Sequence, residues 1–446
     1  MTATTGKPGS AETFSAMLTS RERLGVCAVL MVGLGLRLFV LNLEMHKPVM
    51  QFFSHPWEMG LLGKSLLEGH GYSSPFGFPT GPTAFIAPGY PTIVAGIFFL
   101  FGVYSVKSAL VIILLNIAAA LTTVALIMRL ARNLFSTAAA WTAGLFWAVS
   151  LPLLWLPIIF WESSFSALFF VLALTLALRT RRAPTASNWA VLGLFTAVAA
   201  LINPALIFSF TAIMGWVAFQ TWRRAATEPQ AARTFDWKPA MLGAVTLLVV
   251  FMAWPIRNAV RFHAFIPLRS TVGFEMWMGN HEGSTGHLDE SIYPMTNPHE
   301  LAAYIAQGEV AYVRGKSAAA SAYIASHPAW FVDMTARRIF RFWSGTGNAG
   351  APWIYEAHAL STTLLGFIGL VLLFRHDRSL AALFALPLLL FPVPYYLTHA
   401  EFRYRLNLDP VMTILAAYAA VEIVTALATR TKRVPAAAQI ASPLAH

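Results

Sequence analysis

The stretch RLGVCAVLMVGLGLRLFVLN, residues 23–42, decides the class of this protein. It is apolar along almost its whole length, and a helix of about 20 residues is long enough to cross the ~30 Å hydrocarbon core of a bilayer. The polar start, residues 1–22, is too long and too mixed in composition for the front of a cleavable signal. We therefore expect residues 23–42 to remain as an uncleaved signal-anchor helix.

Further apolar runs of similar length fill most of the chain. Hydrophobic residues make up 57% of its 446 residues and charged residues 11%, and the mean hydropathy is +0.61, which is too apolar for a water-soluble globule of this length. The sequence predicts an all-α polytopic transmembrane bundle of about 10–11 spans. After the first run, the others lie near residues 85–103, 106–128, 135–151, 158–178, 185–203, 204–222, 239–256, 354–374, 379–398 and 409–428.

The positive charge fits membrane topology better than nucleic-acid binding. The net charge is +11, but the lysines and arginines form short clusters beside the apolar runs. By the positive-inside rule we expect both tails, residues 1–22 and 429–446, to be cytoplasmic. Residues 23–428 then form the transmembrane domain, and its two long loops, residues 43–84 and 257–353, are external. An external residue 84 and a cytoplasmic Arg129 require an odd number of crossings, yet two runs lie between them. Either residues 85–103 are re-entrant or Arg129 breaks the rule.

The first external loop carries an unusual density of charge. HPWEMGLLGKSLLEGHGY, residues 55–72, reads as a surface helix with Glu58, Ser65 and Glu68 on one stripe. Lys64 stands four residues before Glu68, so these two are also compatible with a plain surface ion pair. The Gly- and Pro-rich stretch that follows, residues 73–91, predicts an irregular loop against the bundle, and such backbone is tolerated at membrane depth mainly where it lines a cavity.

Three later segments carry further candidates. Glu162 begins an apolar run, where it is either functional or a helix-end glutamate stabilised by the helix dipole. Residues 254–283 contain arginines that suit an anionic head group, either that of a substrate or that of a membrane lipid. Residues 398–410, THAEFRYRLNLDP, place basic side chains on the external side against the charge rule. Residues 297–343 have the spacing of helices along the membrane surface, with Trp330, Phe331, Phe342 and Trp343 at the interface.

Metal and cysteine chemistry receive little support. Cys27 is the single cysteine, so an intramolecular disulfide and a cysteine-based zinc site are excluded. His55 and Glu58 supply two of the ligands a divalent metal needs, but no third is identifiable. No cofactor is expected, and no glycine-rich nucleotide loop is present.

At these residues the sequence resembles a known superfamily. In the order of its motifs the sequence is similar to bacterial polytopic glycosyltransferases of the GT-C superfamily. The motifs that carry the resemblance are, in order, EMGLLGKSLLEGHGYSSPFG, TGPTAFIAPGYP, Glu162, WPIRN, FIPLRS, GFEMWMGN, HPAWF, RRIFRFW and YYLTHAEFRYRLNLDP. The nearest group is the dolichyl-phosphate-mannose protein mannosyltransferase family with its RgtA-like relatives. The resemblance covers about residues 25–428.

The resemblance implies a helical bundle, a polyprenyl-phosphate sugar donor, and an acidic residue of the first external loop as base on the acceptor. Glu58 occupies that region, with Glu68 and Glu162 as alternatives. It also implies that the second loop and the RYR segment hold the donor phosphate. Arg257, Arg403 and Arg405 match, and the residues themselves add Arg261, Arg269 and His399. For acceptor and sugar we expect His55, Lys64, Tyr72, Trp277 and Asn280.

The predicted function is thus inverting transfer of a hexose or pentose to a hydroxyl of a lipid, glycan or protein, at the external face of the inner (plasma) membrane. A single displacement needs one carboxylate as base, because the phosphate leaves without protonation. Two alternatives stay open: a transporter or flippase for a lipid-linked sugar, and a non-catalytic membrane assembly protein of the same fold.

Overall fold

The chain folds almost entirely into α-helices. The computed structural model describes residues 19–53, 57–227, 236–346 and 353–438. Within those ranges the one β-type pairing is an isolated antiparallel bridge between Ser73 and Pro82. The predicted all-α class is therefore confirmed. The helices are α1 Ser20–Met45, α2 Val49–Phe53, α3 Trp57–Leu67, α4 Gly89–Phe101, α5 Val106–Leu134, α6 Thr137–Val149, α7 Leu151–Trp155, α8 Ser163–Arg182, α9 Ala186–Ile202, α10 Leu206–Thr227, α11 Lys238–Phe262, α12 Val272–Gly279, α13 Pro298–Gln307, α14 Glu309–Ser326, α15 Pro328–Ser344, α16 Trp353–His376, α17 Arg378–Leu390, α18 Val393–Leu397 and α19 Phe402–Ala438.

Every predicted apolar run contains a helix, but fewer than predicted are long enough to be spans. Among the described residues seven helices are long and apolar enough to cross a membrane, and α6 with residues 151–158 forms an eighth candidate that is bent by 59°. The chain is a multi-pass membrane protein. The count falls short of 10–11 partly because residues 85–88 are irregular, which leaves α4 only 13 residues. Such a helix is about 20 Å long, shorter than the ~30 Å hydrocarbon core, and this length favours the re-entrant reading of residues 85–103.

Several predicted boundaries move because the helices continue into polar sequence. The first helix begins at Ser20 and runs to Met45, so it takes residues from both the predicted tail and the predicted first loop. Helix α11 continues to Phe262, which places Arg257 and Arg261 on its last turns and not in the second loop. Helices α13, α14 and α15 occupy the part of that loop where surface helices are predicted. Within α15 the aromatic Phe342 is buried, which corrects its predicted place at the interface.

Small residues allow helices of the bundle to approach closely. A Cβ atom on Gly193 of α9 would overlap the Gly243 carbonyl of α11, and one on Gly369 of α16 would overlap the Leu415 carbonyl of α19. Lipid chains are as apolar as the helices, so membrane helices associate through close packing of this kind.

The bend between α6 and α7 directs the chain toward the candidate site. Ser150 interrupts the helix, and Pro152 then sits in the first turn of α7, where a missing N–H costs nothing. The buried Arg37 of α1 donates to the carbonyls of Ala148 at 3.1 Å and Trp147 at 3.3 Å, which the bend leaves without helical partners. Asn116 of α5 then donates to the Pro157 carbonyl at 2.9 Å. These contacts fix the segment that ends at Glu162.

The two polar segments pack together at one end of the bundle, called here the loop end. Helix α3 packs on α4, and α12 packs on α14. Of the predicted irregular loop, residues 73–91, residues 73–88 are irregular and join the two segments, while residues 89–91 begin α4. The Glu309 carboxylate of α14 accepts from Ala84 N at 2.7 Å, and Ser270 N donates to the Ala84 carbonyl at 2.9 Å. These hydrogen bonds satisfy backbone groups that secondary structure does not.

Candidate active site

Glu58 lies in the first turn of α3 at the loop end and is 5% exposed. The hydroxyl of Tyr293, which follows a short 3-10 helix of the second polar segment, donates to Glu58 Oε1. Burial raises the pKa of this carboxyl, while the Arg269 and Arg403 guanidinium groups oppose the rise and Glu275 adds to it. Glu58 is therefore a buried, oriented carboxyl that binds a proton more readily than an exposed glutamate.

Glu162 is the second buried carboxyl of the loop end. It caps the start of α8, is 6% exposed, and its Oε2 atom is buried with no hydrogen-bond partner among the described residues. Burial raises its pKa to about 7, again against the opposing charges of Arg269 and Arg403. A carboxyl of that pKa exchanges its proton readily near neutral pH. The expectation that Glu162 stands at the start of an apolar helix agrees with the structure.

Two guanidinium groups lie within electrostatic reach of both carboxyl groups. Arg269 donates through Nε to the Phe85 carbonyl at 2.9 Å and lies 3.6 Å from a Glu275 oxygen. Arg403, in the first turn of α19, stacks over the ring of Trp161 at 5.1 Å. Both act electrostatically on Glu58 and on Glu162, so the four side chains form one charged cluster. They come from four parts of the chain, which the fold brings together.

His399 and Tyr404 border this cluster. His399 Nδ1 is 3.4 Å from Glu275, and its Nε2 is 2.9 Å from the Tyr404 hydroxyl. Burial lowers the pKa of His399, although Glu275 and Glu401 oppose the change. A neutral imidazole can hydrogen-bond a phosphate but adds no charge to its binding.

The cluster combines proton acceptors with fixed positive charge in a largely water-excluded place. A buried carboxylate can take a proton from a hydroxyl within hydrogen-bond reach. Guanidinium groups stabilise a phosphate through paired donors, and they do so more strongly where water is excluded. The arrangement is suited to a reaction that deprotonates a hydroxyl while an anionic group departs.

Two of the predicted phosphate ligands make structural contacts. Arg257 donates to the Thr83 carbonyl at 2.6 Å and to the Tyr72 carbonyl at 2.9 Å, which fastens the first loop to α11. Arg405 is fully buried and pairs with Asp409 inside the bundle. The structure brings neither guanidinium group into the cluster around Glu58. Their roles in phosphate binding remain predictions that these contacts do not favour.

Three other predicted residues are also placed apart from the cluster. Arg261 is exposed near the end of α11. Lys64 and Glu68 form an exposed ion pair at 3.6 Å, and Glu68 lies just beyond the end of α3, so it does not share the buried face of Glu58. This geometry fits the surface-pair reading. His55 lies outside the described residues.

The predicted sugar and acceptor residues Tyr72, Trp277 and Asn280 have varied surroundings. The Tyr72 hydroxyl donates to the Ile86 and Ala87 carbonyls at 3.0 and 2.9 Å, which braces the irregular loop. Asn280 is fully buried and binds the Leu397 carbonyl at 2.8 Å. Trp277 is half-buried. Tyr72 is half-buried as well, so of the three only Asn280 is fully enclosed.

Sequence reasoning missed Tyr293 and Glu275. Tyr293 is 235 residues from Glu58 along the chain, and nothing local distinguishes it from other tyrosines of the loop. Glu275 stands within the quoted GFEMWMGN motif, where a carboxylate close to arginines is the signal that could have found it. As for metals, the described residues include no group of three or more His, Cys, Asp or Glu side chains that could hold an ion.

Comparison with known proteins supports the fold. No protein-family model and no curated protein matches the chain. Among solved structures, the Archaeoglobus fulgidus oligosaccharyltransferase in its apo form matches with a TM-score of 0.54 at 13% identity, over 96% of this chain. The chain spans about half (53%) of that protein's length. That oligosaccharyltransferase has the GT-C fold, so the predicted fold is confirmed.

Two structures of ArnT from Cupriavidus metallidurans also match. The apo form is 14% identical, and the form bound to undecaprenyl phosphate is 15% identical. The matches cover 81% and 80% of this chain, and 72% of ArnT in both cases. Their TM-scores of 0.35 do not by themselves establish a shared fold.

Proposed function

We propose that this protein is a membrane glycosyltransferase that moves a sugar from a polyprenyl-phosphate donor to an acceptor hydroxyl, with inversion at the anomeric carbon. The observation that carries the proposal is the cluster of the buried Glu58 and Glu162 with the half-buried Arg269 and Arg403 at the loop end of a GT-C-like bundle. It offers the base and the phosphate ligands that such a transfer needs.

In this proposal Glu58 is the base. Tyr293 holds Glu58 Oε1, so an acceptor hydroxyl is received at Oε2. The acceptor oxygen attacks the anomeric carbon, its proton goes to Glu58, and the sugar–phosphate bond breaks. Polyprenyl phosphate then leaves with the electron pair of that bond. Because Glu58 stands on a helix of the loop end and not on a span, a hydrophilic acceptor can approach it from the aqueous side.

Arg269 and Arg403 bind the donor phosphate in this proposal. A departing phosphate gains negative charge as the bond to the sugar breaks, and fixed cations therefore stabilise the transition state more than the bound donor. Arg403 lies at the start of a span, where the head group of a lipid-linked donor would lie while its chain stays in the bilayer. Glu162 lies within electrostatic reach of Arg403, and its unpartnered Oε2 atom contributes an acceptor for a sugar hydroxyl.

The sugar, whether a hexose or a pentose, and the acceptor class, whether lipid, glycan or protein, are left open. We place the reaction at the external face of the plasma membrane, following the distribution of basic residues in the sequence.

The test is sugar transfer in proteoliposomes supplied with radiolabelled polyprenyl-phosphate sugars. Glu58→Gln is expected to lower the rate by at least about 100-fold, because general bases contribute about 10²–10⁴. Glu68→Gln is the matched control: it removes an exposed glutamate just past the same helix and should leave the rate unchanged. Thermal melting checks that each variant folds.

The outcomes separate the candidate bases. If Glu58→Gln transfers like the wild type while Glu162→Gln is inactive, Glu162 is the base. If all variants transfer equally, the site is elsewhere. If the wild type moves labelled donor across the membrane without transfer, the protein is a transporter of lipid-linked sugar.

A further inference from the structure

An apolar groove opens between α16 and α17 at the end of the bundle opposite the candidate active site. Helix α16 is 24 residues long and runs about 36 Å away from the loop end. The groove near its last turns has a volume of about 330 Å³. It is lined by Leu370, Val371, Phe374, Arg375, Ala381, Ala382 and Ala385. Three alanines on the α17 side leave the space that larger side chains would fill.

Two guanidinium groups stand at the groove. Arg375 is part of its wall, and the guanidinium carbon of Arg378 lies 5.5 Å from the ring centroid of Phe374, which is also part of the wall. Both arginines are exposed. The groove therefore joins an apolar channel to a cationic end, and an arginine stacked on an aromatic ring keeps its outer donors available to a second partner.

The neighbouring helix ends add more positive charge. The Trp216 indole of α10 donates to the Ser379 carbonyl at 3.0 Å, which joins α10 to the start of α17. Arg181 of α8 stacks on that indole at 5.3 Å, and it lies within electrostatic reach of Arg182, Arg224 and Asp377. Asp377 already accepts from the Leu380 N–H at 2.9 Å as the cap of α17. Asp377 is the carboxylate that acts on Arg181, and Arg375 and Arg378 stand within two residues of Asp377 along the chain.

We propose that this groove binds a phospholipid with a net negative head group. Both flanking helices belong to candidate membrane spans, Trp353–His376 and Arg378–Leu397, so an acyl chain is the apolar partner that the bilayer supplies. The head-group phosphate then lies between Arg375 and Arg378. A volume of about 330 Å³ is at the lower end of ligand-pocket sizes, which suits a segment of one acyl chain. Excess positive charge selects an anionic lipid over a zwitterionic one.

This binding site is independent of sugar transfer, because it lies at the other end of the bundle and uses none of the residues around Glu58. Its charge also agrees with the sequence-based orientation, in which this end faces the cytoplasm, since anionic lipids are concentrated in the cytoplasmic leaflet. A bound lipid would neutralise like charges that the fold brings together.

The test is native mass spectrometry of the full chain, released from micelles with phosphatidylglycerol or with phosphatidylcholine of the same acyl chains. The wild type is expected to retain phosphatidylglycerol preferentially. The double variant Arg375→Gln/Arg378→Gln should lower phosphatidylglycerol affinity about 30-fold, because each arginine near an anionic lipid surface contributes roughly a 5-fold factor and the two factors multiply. Phosphatidylcholine binding should change little.

Two further variants separate this site from general attraction of anionic lipid. Arg314→Gln/Arg337→Gln removes the same charge from exposed positions on α14 and α15 and should leave the preference intact. Ala382→Phe fills the groove and keeps both arginines, and it should weaken phosphatidylglycerol binding as well. An equal loss in the control pair, or an unchanged preference in Arg375→Gln/Arg378→Gln or in Ala382→Phe, would overturn the proposal.

Discussion

The ion pair between Arg405 and Asp409 gives the sharpest prediction about stability. Both side chains are fully buried in the bundle. Asp409 also accepts from His358 Nε2 at 2.7 Å, and Arg405 donates to Thr362 Oγ1 at 2.7 Å. Asp409→Ala leaves the guanidinium with hydroxyl partners and no counter-charge. Removing one partner of a buried pair costs about 3–5 kcal/mol, and we expect a loss of that size.

The chain contains a matched control for this variant. Asp333 and Arg337 of α15 form an Asp–Arg pair four residues apart, at 2.7 Å, but both side chains are more than half exposed. Asp333→Ala should cost less than about 1 kcal/mol, because water screens an exposed pair and solvates the arginine that remains. The two variants remove the same group from the same helical spacing, so burial is the main difference between them.

The assay is equilibrium unfolding in mixed micelles with increasing dodecyl sulfate, followed by tryptophan fluorescence. The double variant Arg405→Met/Asp409→Leu should recover part of the loss, since apolar residues can replace a buried pair at little cost. Equal losses for Asp409→Ala and Asp333→Ala would refute the reasoning, and so would a double variant less stable than Asp409→Ala.

Three further predictions concern the candidate site and its support. Burial raises the pKa of Glu162 from 4.5 to about 7, so between these two pH values the folded chain keeps a proton on Glu162 that the unfolded chain has already released. Stability should therefore fall by about 3 kcal/mol as the pH rises from about 4.5 to 7, and unfolding titrations of Glu162→Gln should lack this slope. Tyr293→Phe removes a donor that stabilises ionised Glu58, so the midpoint on the acid side of the pH–rate profile for transfer should rise by about one pH unit. An unchanged midpoint would mean that the ionisation of Glu58 does not control the rate. Arg257→Lys should lower the unfolding free energy by about 1–2 kcal/mol, because an ammonium group cannot reproduce both carbonyl contacts, and unchanged unfolding would contradict the structural role assigned to it.

Much of the fold was predictable because hydropathy reports directly on burial in a membrane. The apolar runs became helices, and the Gly- and Pro-rich residues 73–88 became an irregular loop. The number of full spans was less predictable. The backbone of residues 85–88 is irregular, and hydropathy cannot detect that residues 85–103 contain a helix of only 13 residues.

The candidate site was predictable only in part, because a sequence shows which side chains carry charge and not what they meet. Glu58, Glu162, Arg269 and Arg403 were all singled out. Arg257 looks the same in the sequence, but backbone carbonyls of the distant first loop engage it. Tyr293 was missed because its partner is 235 residues away.

The central claim, that the bond between sugar and phosphate breaks at the Glu58 cluster, is tested most directly by a donor labelled twice. Proteoliposomes receive a polyprenyl-phosphate sugar with tritium in the sugar and ³²P in the phosphate, together with a candidate acceptor. The account predicts that tritium moves to the acceptor while ³²P stays with the polyprenyl chain, and that Glu58→Gln stops the separation. If the two labels instead cross the bilayer together and never part, the protein moves its lipid-linked sugar intact and the account is wrong.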